Sequence, residues 1–455
     1  MFFEQIYDKT LAQASYLIGC QVTKEAVVID PKRDVDTYLQ IAKDNQLNIT
    51  HVAETHIHAD FLSGSRELVK VTGAHLFLSN EGGEDWQYEF PHIGLKHNDK
   101  IKIGNLTLET LHTPGHTPES ISFLLTDHPA TEKPVMIFTG DFVFVGDVGR
   151  PDLLEEAAGL VGSKDIGAKQ LFESLKLFKA LPDYLQVWPG HGAGSACGKA
   201  LGTVASSTVG YEKIRNWALQ YEDFEAFKTE LLNDQPEAPT YFATMKKLNK
   251  VERPLLTEVP IHPFLTVEEL KDNTIIVDTR NKFEFSNGHL PKSLNIQNNN
   301  SFANWAGWML PYDRPIALVI EEKNQEEVTR KLMRIGMDNI QGVLLDIGND
   351  LQTTDLVDAD YVENALMSDD ALLLDVRNAV EYKANHIEGA KHYFVGKMAK
   401  NLPDIPKNHP VIIQCQSGDR ATIAASFMRK NGFTNVKNYV GSMKDWIDKG
   451  KPVTK

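Results

Sequence analysis

The sequence predicts an α/β protein of about three domains, and three observations support this class. Short apolar, strand-like segments alternate with helical patterns along the chain. Three prolines interrupt residues 251–263, where they disfavour a continuous helix or a central strand. Beyond this linker, the stretch 275–293 recurs at 372–390. We therefore expect a first domain over residues 1–250, a second over 251–355 and a third over 356–455.

The composition is that of a globular protein with an acidic balance. Of 455 residues, 42% are hydrophobic and 24% are charged, and the formal net charge is -15. This charge argues against nucleic acid or an anionic membrane surface as the main partner. Charged residues interrupt the apolar ones near the N-terminus (Glu4, Asp8 and Lys9), so we expect no signal peptide there. No apolar run approaches the length of a membrane span. The three cysteines are widely spaced, so we expect no disulfide framework and a reducing, cytoplasmic location.

The first domain is predicted to begin with strands and to continue with helices. SYLIGC and EAVVIDP form a predicted hairpin that turns near Thr23 and Lys24, and LNITHVAETH is a strand that runs into a loop at His56. Residues 62–72 have a helical pattern. Further strand-like stretches are AHLFLS, IKIGNLTLETLHTP, SISFLLTD and PVMIFTGD. The pattern becomes helical from Ser163, returns to a strand at YLQVWPGHG and is helical again over 210–247.

The second half of the chain contains an internal repeat. IIVDTRNKFEFSNGHLPKS aligns with LLLDVRNAVEYKANHIEGA, so that Asp278 matches Asp375 and Arg280 matches Arg377. The offset of 97 residues is the size of a domain rather than of a solenoid repeat. Strands alternate with helices in both copies, which predicts a parallel sheet in each.

Four short motifs with potential metal ligands follow predicted strands. They are THIHAD (55–60), TPGHT (113–117), TGD (139–141) and PGHG (189–192). Histidine or aspartate beside small residues suits the tight, preset turns of metal sites. One such motif alone is more often a hydrogen-bonded loop, but all four in this order indicate a metal centre.

Together these motifs resemble the metallo-β-lactamase superfamily, which implies an αβ/βα sandwich over the first domain. In binuclear members the first motif reads HxHxDH. The ligand candidates that this resemblance implies are His56, His58, His116 and Asp141 for a first metal, with Asp60 and His191 for a second. Phe61 stands where the second metal would need a further histidine, so we expect one metal. The alternative is a second metal that only Asp60 and His191 hold.

One metal with two histidines and one carboxylate is the usual set of non-haem Fe(II) oxygenases, because it leaves coordination positions open. The first domain resembles the persulfide dioxygenase branch of the superfamily. This resemblance implies one Fe(II) per chain, held by His56, His116 and Asp141, with His58 behind the ligands. Zinc at this site would favour hydrolysis instead, because zinc has no redox change.

Two further residues of the first domain are candidates for substrate contact. Arg150 matches an arginine that persulfide dioxygenases place near the thiol part of the substrate, and the alternative is an ion pair with Asp147 or Asp152. Cys197 is a candidate to line the path to the metal and to carry or sense a sulfane sulfur, and the alternative is a small loop residue. Cys20, within SYLIGC, is assigned to the core.

The stretch VIIQCQSGDRATIAASFMRKNG (411–432) predicts a nucleophile between a strand and a helix. Cys415 opens the loop 415–420, and a helix is expected to begin near Ala421. Backbone N–H groups in such a loop form a cradle for negative charge and favour the thiolate, while Arg420 adds a fixed positive charge. The other cradle residues are Gln416, Ser417, Gly418 and Asp419. The alternative for Cys415 is a small buried residue at a strand end.

With LLLDVRNAVEYKANHIEGA upstream, this C-x4-R loop resembles a rhodanese over residues 356–455. The resemblance implies a sulfurtransferase in which Cys415 and Arg420 are catalytic. In the earlier copy Ile320 stands at the cysteine position and Gln325 at the arginine position. We therefore expect the second domain to be a rhodanese-like fold without activity, a spacer or docking element.

The whole chain resembles a bacterial fusion of a persulfide dioxygenase with two rhodanese domains. This implies oxidation of a low-molecular-weight thiol persulfide by O2 to sulfite, and transfer of a sulfane sulfur to sulfite to give thiosulfate, during sulfide detoxification. The rival functions are a binuclear zinc thioester hydrolase of glyoxalase II type and a sulfur carrier or persulfide sensor without turnover. The resemblance also implies a homo-oligomer, either a dimer or a tetramer.

Overall fold

The computed structural model divides the chain into two compact units. It describes residues 1–153, 155, 162–199 and 201–455. The first unit comprises Met1–Val259 with Met333–Gly336, and the second comprises Pro260–Leu332 with Met337–Lys455. Among the described helices, none is both long and apolar enough to cross a membrane.

Two six-stranded sheets form the framework of the first unit. The first sheet contains β1 (Phe2–Asp8), β2 (Gln13–Gly19), β3 (Glu25–Ile29), β4 (Asn48–Ala53), β5 (His75–Ser79) and β6 (Ile93–Leu95). The second sheet contains β7 (Lys100–Ile103), β8 (Leu106–His112), β9 (Ile121–Asp127), β10 (Met136–Gly140), β11 (Gln186–Pro189) and β12 (Ser207–Thr208). Neighbours within each sheet follow chain order, so both sheets are built largely from local connections.

Helices cover the outer face of each sheet. They are α1 (Asp36–Asp44), α2 (Ser65–Thr72), α3 (Ser163–Ala180), α4 (Val209–Arg215), α5 (Phe224–Leu232) and α6 (Phe242–Lys250), with 3-10 turns at Glu84–Trp86 and Trp217–Gln220. Tyr38 of α1 and Leu68 of α2 share one apolar cluster with the first sheet. Leu171 of α3 packs on the second sheet, and a third cluster, which includes Ile29 and Phe123, fills the space between the sheets. The predicted αβ/βα sandwich is confirmed.

One predicted hairpin of the first unit is observed, and two other predicted elements differ in detail. The strands β2 and β3 pair antiparallel, and the chain turns between them through Lys24, whose φ is +66°. The stretch IKIGNLTLETLHTP is not one strand but a hairpin, because Gly104 and Asn105 turn the chain between β7 and β8. The helical region 210–247 is divided into separate helices, the first of which ends at Arg215.

The second unit contains two four-stranded sheets in which every strand pair is parallel, as the repeat predicted. The strands of the first copy are β13 (Ile275–Asp278), β14 (Leu294–Asn295), β15 (Ile316–Val319) and β16 (Ile340–Leu344). Those of the second copy are β17 (Leu372–Asp375), β18 (Lys391–His392), β19 (Val411–Gln414) and β20 (Val436–Asn438). The helices are α7 (Lys282–Asn287), α8 (Phe302–Met309), α9 (Gln325–Met333), α10 (Ala359–Ser368), α11 (Ala379–Ala384), α12 (Asp419–Lys430) and α13 (Ser442–Asp448), with 3-10 turns at Val267–Glu269, Glu322–Asn324 and Val395–Lys397.

The repeated Asp-x-Arg motif has the same structural role in both copies. Arg280 pairs with Asp278 at 2.6 Å, and Arg377 pairs with Asp375 at 2.7 Å, just after β13 and β17. The asparagine that follows each arginine accepts hydrogen bonds from the first turn of the next helix. These matched arginines therefore fix the strand-to-helix turn.

Candidate metal centre and sulfur-transfer loop

Three of the predicted ligands converge at the ends of strands in the first unit. His56 follows β4, His116 lies between β8 and β9, and Asp141 directly follows β10. All three are buried, and one donor atom from each lies within 4.8 Å of the others. Asp141 Oδ2 is 3.8 Å from His56 Nε2 and 3.5 Å from His116 Nε2.

Hydrogen bonds on the far side of each ring fix which nitrogen faces this cluster. The Thr55 hydroxyl has one proton, which it donates to Asp30 at 2.8 Å, so its oxygen accepts from His56 Nδ1 at 2.9 Å. His116 Nδ1 donates to the Arg150 carbonyl at 3.0 Å. Because each Nδ1 carries the proton, each Nε2 presents a lone pair to Asp141.

Lone pairs and carboxylate oxygens that face one another need a cation between them. Within the described part of the chain, His56 Nε2 and both Asp141 oxygens have no hydrogen-bond partner. Buried polar atoms are seldom left in this state, because the lost hydration is costly. A divalent metal bound to these atoms would satisfy all of them, so the residues fit a metal.

Electrostatics keep the two ring ligands neutral, as metal binding requires. Burial, together with the neighbouring His58 and His116, holds the pKa of His56 well below its ordinary value. Burial also lowers the pKa of His116, although Asp141 opposes this shift. Both rings are therefore unprotonated at Nε2 near neutral pH.

His58 lies beside this donor set, with its ring centroid 4.2 Å from that of His56, and pairs with Asp30. Its Nε2 is 3.1 Å from Asp30 Oδ1. Burial lowers the pKa of His58, but the charge and hydrogen bonding of Asp30 outweigh burial and raise it to about 9. Asp30, which sequence reasoning missed, also accepts from the Thr55 backbone N–H at 2.7 Å. Asp30 directly follows β3 in VVIDP, and this position at a strand end was the sequence feature that could have identified it as a site residue.

A second cluster of donors adjoins the first. One donor atom each from Asp60, His191 and Cys197 lies within 4.8 Å of the others, and all three residues are buried. His191 Nε2 is 3.3 Å from Asp60 Oδ2 and 3.4 Å from Asp141 Oδ1, while its Nδ1 donates to a backbone carbonyl. Sequence reasoning did not place Cys197 in this set. The Phe61 ring packs instead on His58, with ring centroids 4.4 Å apart.

Arg150 is fully buried and forms an ion pair with Asp152, which was the alternative to a contact with substrate. Its Nε donates to Asp152 Oδ1 at 2.8 Å, and Nη2 pairs with the other carboxylate oxygen. Its Nη1 donates to the Pro236 carbonyl at 2.7 Å. The backbone of Arg150 contacts both clusters, because its carbonyl accepts from His116 and its N–H donates to the Cys197 carbonyl.

Glycines beside the ligands allow the strand-end loops to approach closely. A Cβ at Gly149 would lie 1.8 Å from the carbonyl oxygen of Asp141, and one at Gly190 would lie 2.8 Å from its Oδ1. Neither distance is compatible with a side chain. The glycines in GDVGR and PGHG are therefore steric requirements of the Asp141 position.

The loop 415–420 in the second unit surrounds the sulfur of Cys415. Cys415 follows β19, and α12 begins at Asp419, two residues before its predicted start. The Gly418 N–H donates to Cys415 Sγ at 3.1 Å. The Ser442 hydroxyl, 3.8 Å from Sγ, donates to the Tyr439 carbonyl at 2.8 Å and accepts from the Cys415 N–H at 3.0 Å. Gly418 has a φ of +94°, and a Cβ there would lie 2.2 Å from a backbone carbonyl oxygen. The turn that brings this N–H to the sulfur therefore requires glycine.

Arg420 is held at the loop by a carboxylate that the sequence did not reveal as a site residue. Its two terminal nitrogens donate to Glu381 of α11 at 2.5 and 2.7 Å. Burial raises the pKa of Glu381, but the hydrogen bond and charge of Arg420 outweigh burial and lower it. This bidentate pair fixes the guanidinium plane.

The first copy lacks the groups that form this loop. Ile320 is buried at the cysteine position after β15. Gln325, at the arginine position, donates to the His262 carbonyl at 2.9 Å. No nucleophile stands at this position of the first copy.

Comparisons with known proteins match both parts of the chain. The Metallo-beta-lactamase superfamily matches residues 9–191, and the Rhodanese-like domain matches 266–345 and 358–449. The mitochondrial persulfide dioxygenase of Bos taurus is 30% identical over 201 residues, which cover 42% of this chain and 68% of that protein. A hydroxyacylglutathione hydrolase of Polaromonas sp. is 29% identical over 265 residues, covering 51% of this chain and 93% of that protein. The crystal structure of a metallo-beta-lactamase from Staphylococcus aureus has a TM-score of 0.70 and 45% identity, covering 76% of this chain and 98% of that one.

Proposed function

Because this chain belongs to the metallo-beta-lactamase superfamily and carries two rhodanese-like domains, we propose that it couples a persulfide dioxygenase to a sulfurtransferase. In the first reaction, a low-molecular-weight thiol persulfide, O2 and water give the thiol and sulfite. In the second, sulfite accepts the outer sulfur of another persulfide and becomes thiosulfate. The two reactions together would dispose of persulfide sulfur during sulfide detoxification.

The observation that carries the first reaction is the buried set of two neutral histidines and one carboxylate, His56, His116 and Asp141, whose donor atoms lie within 4.8 Å of one another. We propose that these residues hold one Fe(II) per chain. When bound there, Fe(II) would supply the redox chemistry that oxidation of a persulfide by O2 requires.

The surrounding side chains orient these ligands and keep water away. Thr55 and Asp30 fix the His56 ring, and His58 pairs with Asp30 beside it. We propose that Arg150 acts through its backbone, by orienting His116, while Asp152 holds its guanidinium. Cys197, from the adjoining cluster, is proposed to line the pocket where the persulfide binds.

The second reaction is proposed to run through Cys415. Its thiolate attacks the outer sulfur of a persulfide, the thiol leaves with its electron pair and a proton, and Cys415 retains the sulfur as a persulfide. Sulfite then attacks that outer sulfur, so that thiosulfate forms and the thiolate is regenerated. The loop N–H groups, such as that of Gly418, and the Arg420 guanidinium stabilise the anionic sulfur and oxygen atoms.

A zinc-dependent thioester hydrolase is the second candidate, and one observation favours it. Asp60, His191 and Cys197 form a second donor set beside Asp141, as a two-metal hydrolase would need. The hydroxyacylglutathione hydrolase relative is consistent with this chemistry. Metal content separates the two functions, because the dioxygenase needs one iron and the hydrolase two zinc ions per chain.

Location and assembly follow from the same proposal. All three cysteines are free thiols, which fits a reducing cytoplasm. We further propose a homo-oligomer, which sedimentation of the purified chain would test.

The coupled scheme is tested by Cys415→Ser. With a thiol persulfide and O2, the wild type should release thiosulfate. The variant should consume O2 at the wild-type rate and accumulate sulfite instead. If the variant still forms thiosulfate, or if it accumulates no sulfite, the scheme is wrong.

A further inference from the structure

The rhodanese-like copy without a cysteine contacts the active loop of the other copy through one ammonium group. Lys282, the first residue of α7, donates from Nζ to the Ser417 carbonyl at 2.5 Å and to Asp419 Oδ1 at 2.9 Å. Both acceptors belong to the loop 415–420. The Lys282 side chain is only 19% exposed, so the contact is partly shielded from water.

The carbonyl that Lys282 contacts shares a peptide group with the hydrogen-bond donor to the nucleophile. The Ser417 C=O and the Gly418 N–H belong to one peptide unit, and in a trans peptide they point in opposite directions. That N–H donates to Cys415 Sγ at 3.1 Å. A positive charge on the oxygen side draws electron density from the N–H side and strengthens the bond to sulfur. Lys282 thus acts on Cys415 without contacting it.

The same ammonium group offsets a negative charge that the loop would otherwise present to anions. Asp419 lies beside the cradle, where an ionised carboxylate repels sulfite and persulfide anions. Its Oδ1 accepts from Lys282, and its Oδ2 accepts from Asn299 Nδ2 of the same copy at 3.2 Å. The first copy therefore neutralises the one acidic side chain of the loop.

Further contacts fix Lys282 at this position. The Lys282 backbone N–H donates to Gln297 Oε1 at 2.9 Å. The Asn295 N–H donates to Ser426 Oγ of α12 at 3.1 Å, which ties the two copies together close to the loop. The residue that matches Lys282 in the second copy is Ala379, so the lysine is a feature of the first copy alone.

We propose that Lys282 is a positioning residue for Cys415, and that the first rhodanese-like copy completes the sulfur-transfer site of the second. The assignment rests on the proposed sulfurtransferase function. It replaces the expected role of a spacer or docking element with a contribution to the loop that surrounds the nucleophile. The recognised ligand class is an anionic sulfur compound, such as sulfite or a persulfide.

Alkylation of Cys415 by iodoacetamide, followed on its peptide by mass spectrometry in the full-length chain, tests the proposal. Lys282→Met should move the pH of half-maximal alkylation rate upward by roughly 0.5 to 1 unit, because the N–H bond to the thiolate weakens. Lys282→Arg keeps the charge and the hydrogen-bond donors, so its alkylation profile should lie at least about half of the way back from that of Lys282→Met to that of the wild type. Lys323→Met is the matched control, since Lys323 lies in the same copy and pairs with exposed Glu321.

Thiosulfate formation gives a second readout. Lys282→Met should raise the KM for sulfite about threefold to tenfold, and Lys323→Met should leave it unchanged. An unchanged alkylation profile in Lys282→Met, an equal shift in Lys323→Met, or no recovery in Lys282→Arg would each overturn the proposal. If the wild type forms no thiosulfate, the proposed sulfurtransferase function is wrong. The alkylation profile would still show whether Lys282 affects the reactivity of Cys415.

Discussion

Replacing Thr55 by valine tests how the chain prepares His56 for metal binding. The Thr55 hydroxyl donates to Asp30 Oδ2 at 2.8 Å and accepts from His56 Nδ1 at 2.9 Å, in a fully buried position. Valine keeps the shape of threonine and removes both bonds. His56 then loses the contact that selects its tautomer, and one Asp30 oxygen loses its donor.

The magnitude follows from these two bonds. Loss of an outer contact to a ligating histidine typically lowers metal affinity about 10- to 100-fold. A buried carboxylate oxygen left without its donor should lower the free energy of unfolding of the metal-free protein by about 1–3 kcal/mol. The Thr55 backbone N–H still donates to Asp30, so the loop itself should remain in place.

The assay is competition for Fe(II) between the protein and a coloured chelator under anaerobic conditions. Thr329→Val is the control, because it makes the same change at a buried hydroxyl that has no hydrogen-bond partner among the described residues. It should leave the iron affinity unchanged. If Thr55→Val binds iron as tightly as the wild type, the hydrogen-bond relay from Asp30 to His56 has no role in metal binding.

Three further predictions concern other positions. Burial raises the pKa of Glu119 from its ordinary value of 4.5 to about 7, so the unfolded state ionises first as pH rises between these values and stability falls. Glu119→Gln removes this loss. Its free energy of unfolding in urea, relative to that of the wild type, should therefore increase from a difference near zero at pH 4.5 to about 3 kcal/mol at pH 8. Equal unfolding curves for the variant and the wild type at pH 8 would contradict this. Glu381→Gln should release Arg420 and lower thiosulfate formation about tenfold while O2 uptake stays the same, and a parallel fall in both rates would disprove the local role. Gly418→Ala should abolish thiosulfate formation because its Cβ meets a carbonyl, whereas Gly389→Ala, with a similar φ but a nearest contact of 3.6 Å, should cost only about 1–2 kcal/mol in stability; equal activity of the two variants would refute the steric argument.

The fold was accessible from the sequence where local patterns decide the structure. Apolar segments with turns between them predicted the strands, and the offset between Asp278 and Asp375 predicted two parallel-sheet copies. The errors lie where a turn or a helix end depends on local backbone detail. Gly104 and Asn105 made a hairpin of a stretch that looked like one strand, and α12 begins at Asp419 rather than at Ala421.

The candidate site was accessible only in part, because sequence motifs do not show tertiary neighbours. The four motifs identified His56, His116 and Asp141 as candidate ligands, and the structure places their donor atoms within 4.8 Å of one another. Asp30 and Lys282 could not be found in this way. Each acts through a contact with a residue distant in the sequence. Asp30 has only its strand-end position as a signal, and Lys282, although it lies within the repeat, is matched by Ala379 in the second copy.

The first domain is proposed to be an iron-dependent persulfide dioxygenase. The most direct test measures metal content and O2 uptake on the same anaerobically purified sample, with glutathione persulfide as substrate. One iron per chain, and one O2 consumed for every two persulfides as the coupled reactions require, are the predicted result. Two zinc ions per chain, with thioester hydrolysis and no persulfide-dependent O2 uptake, would contradict it.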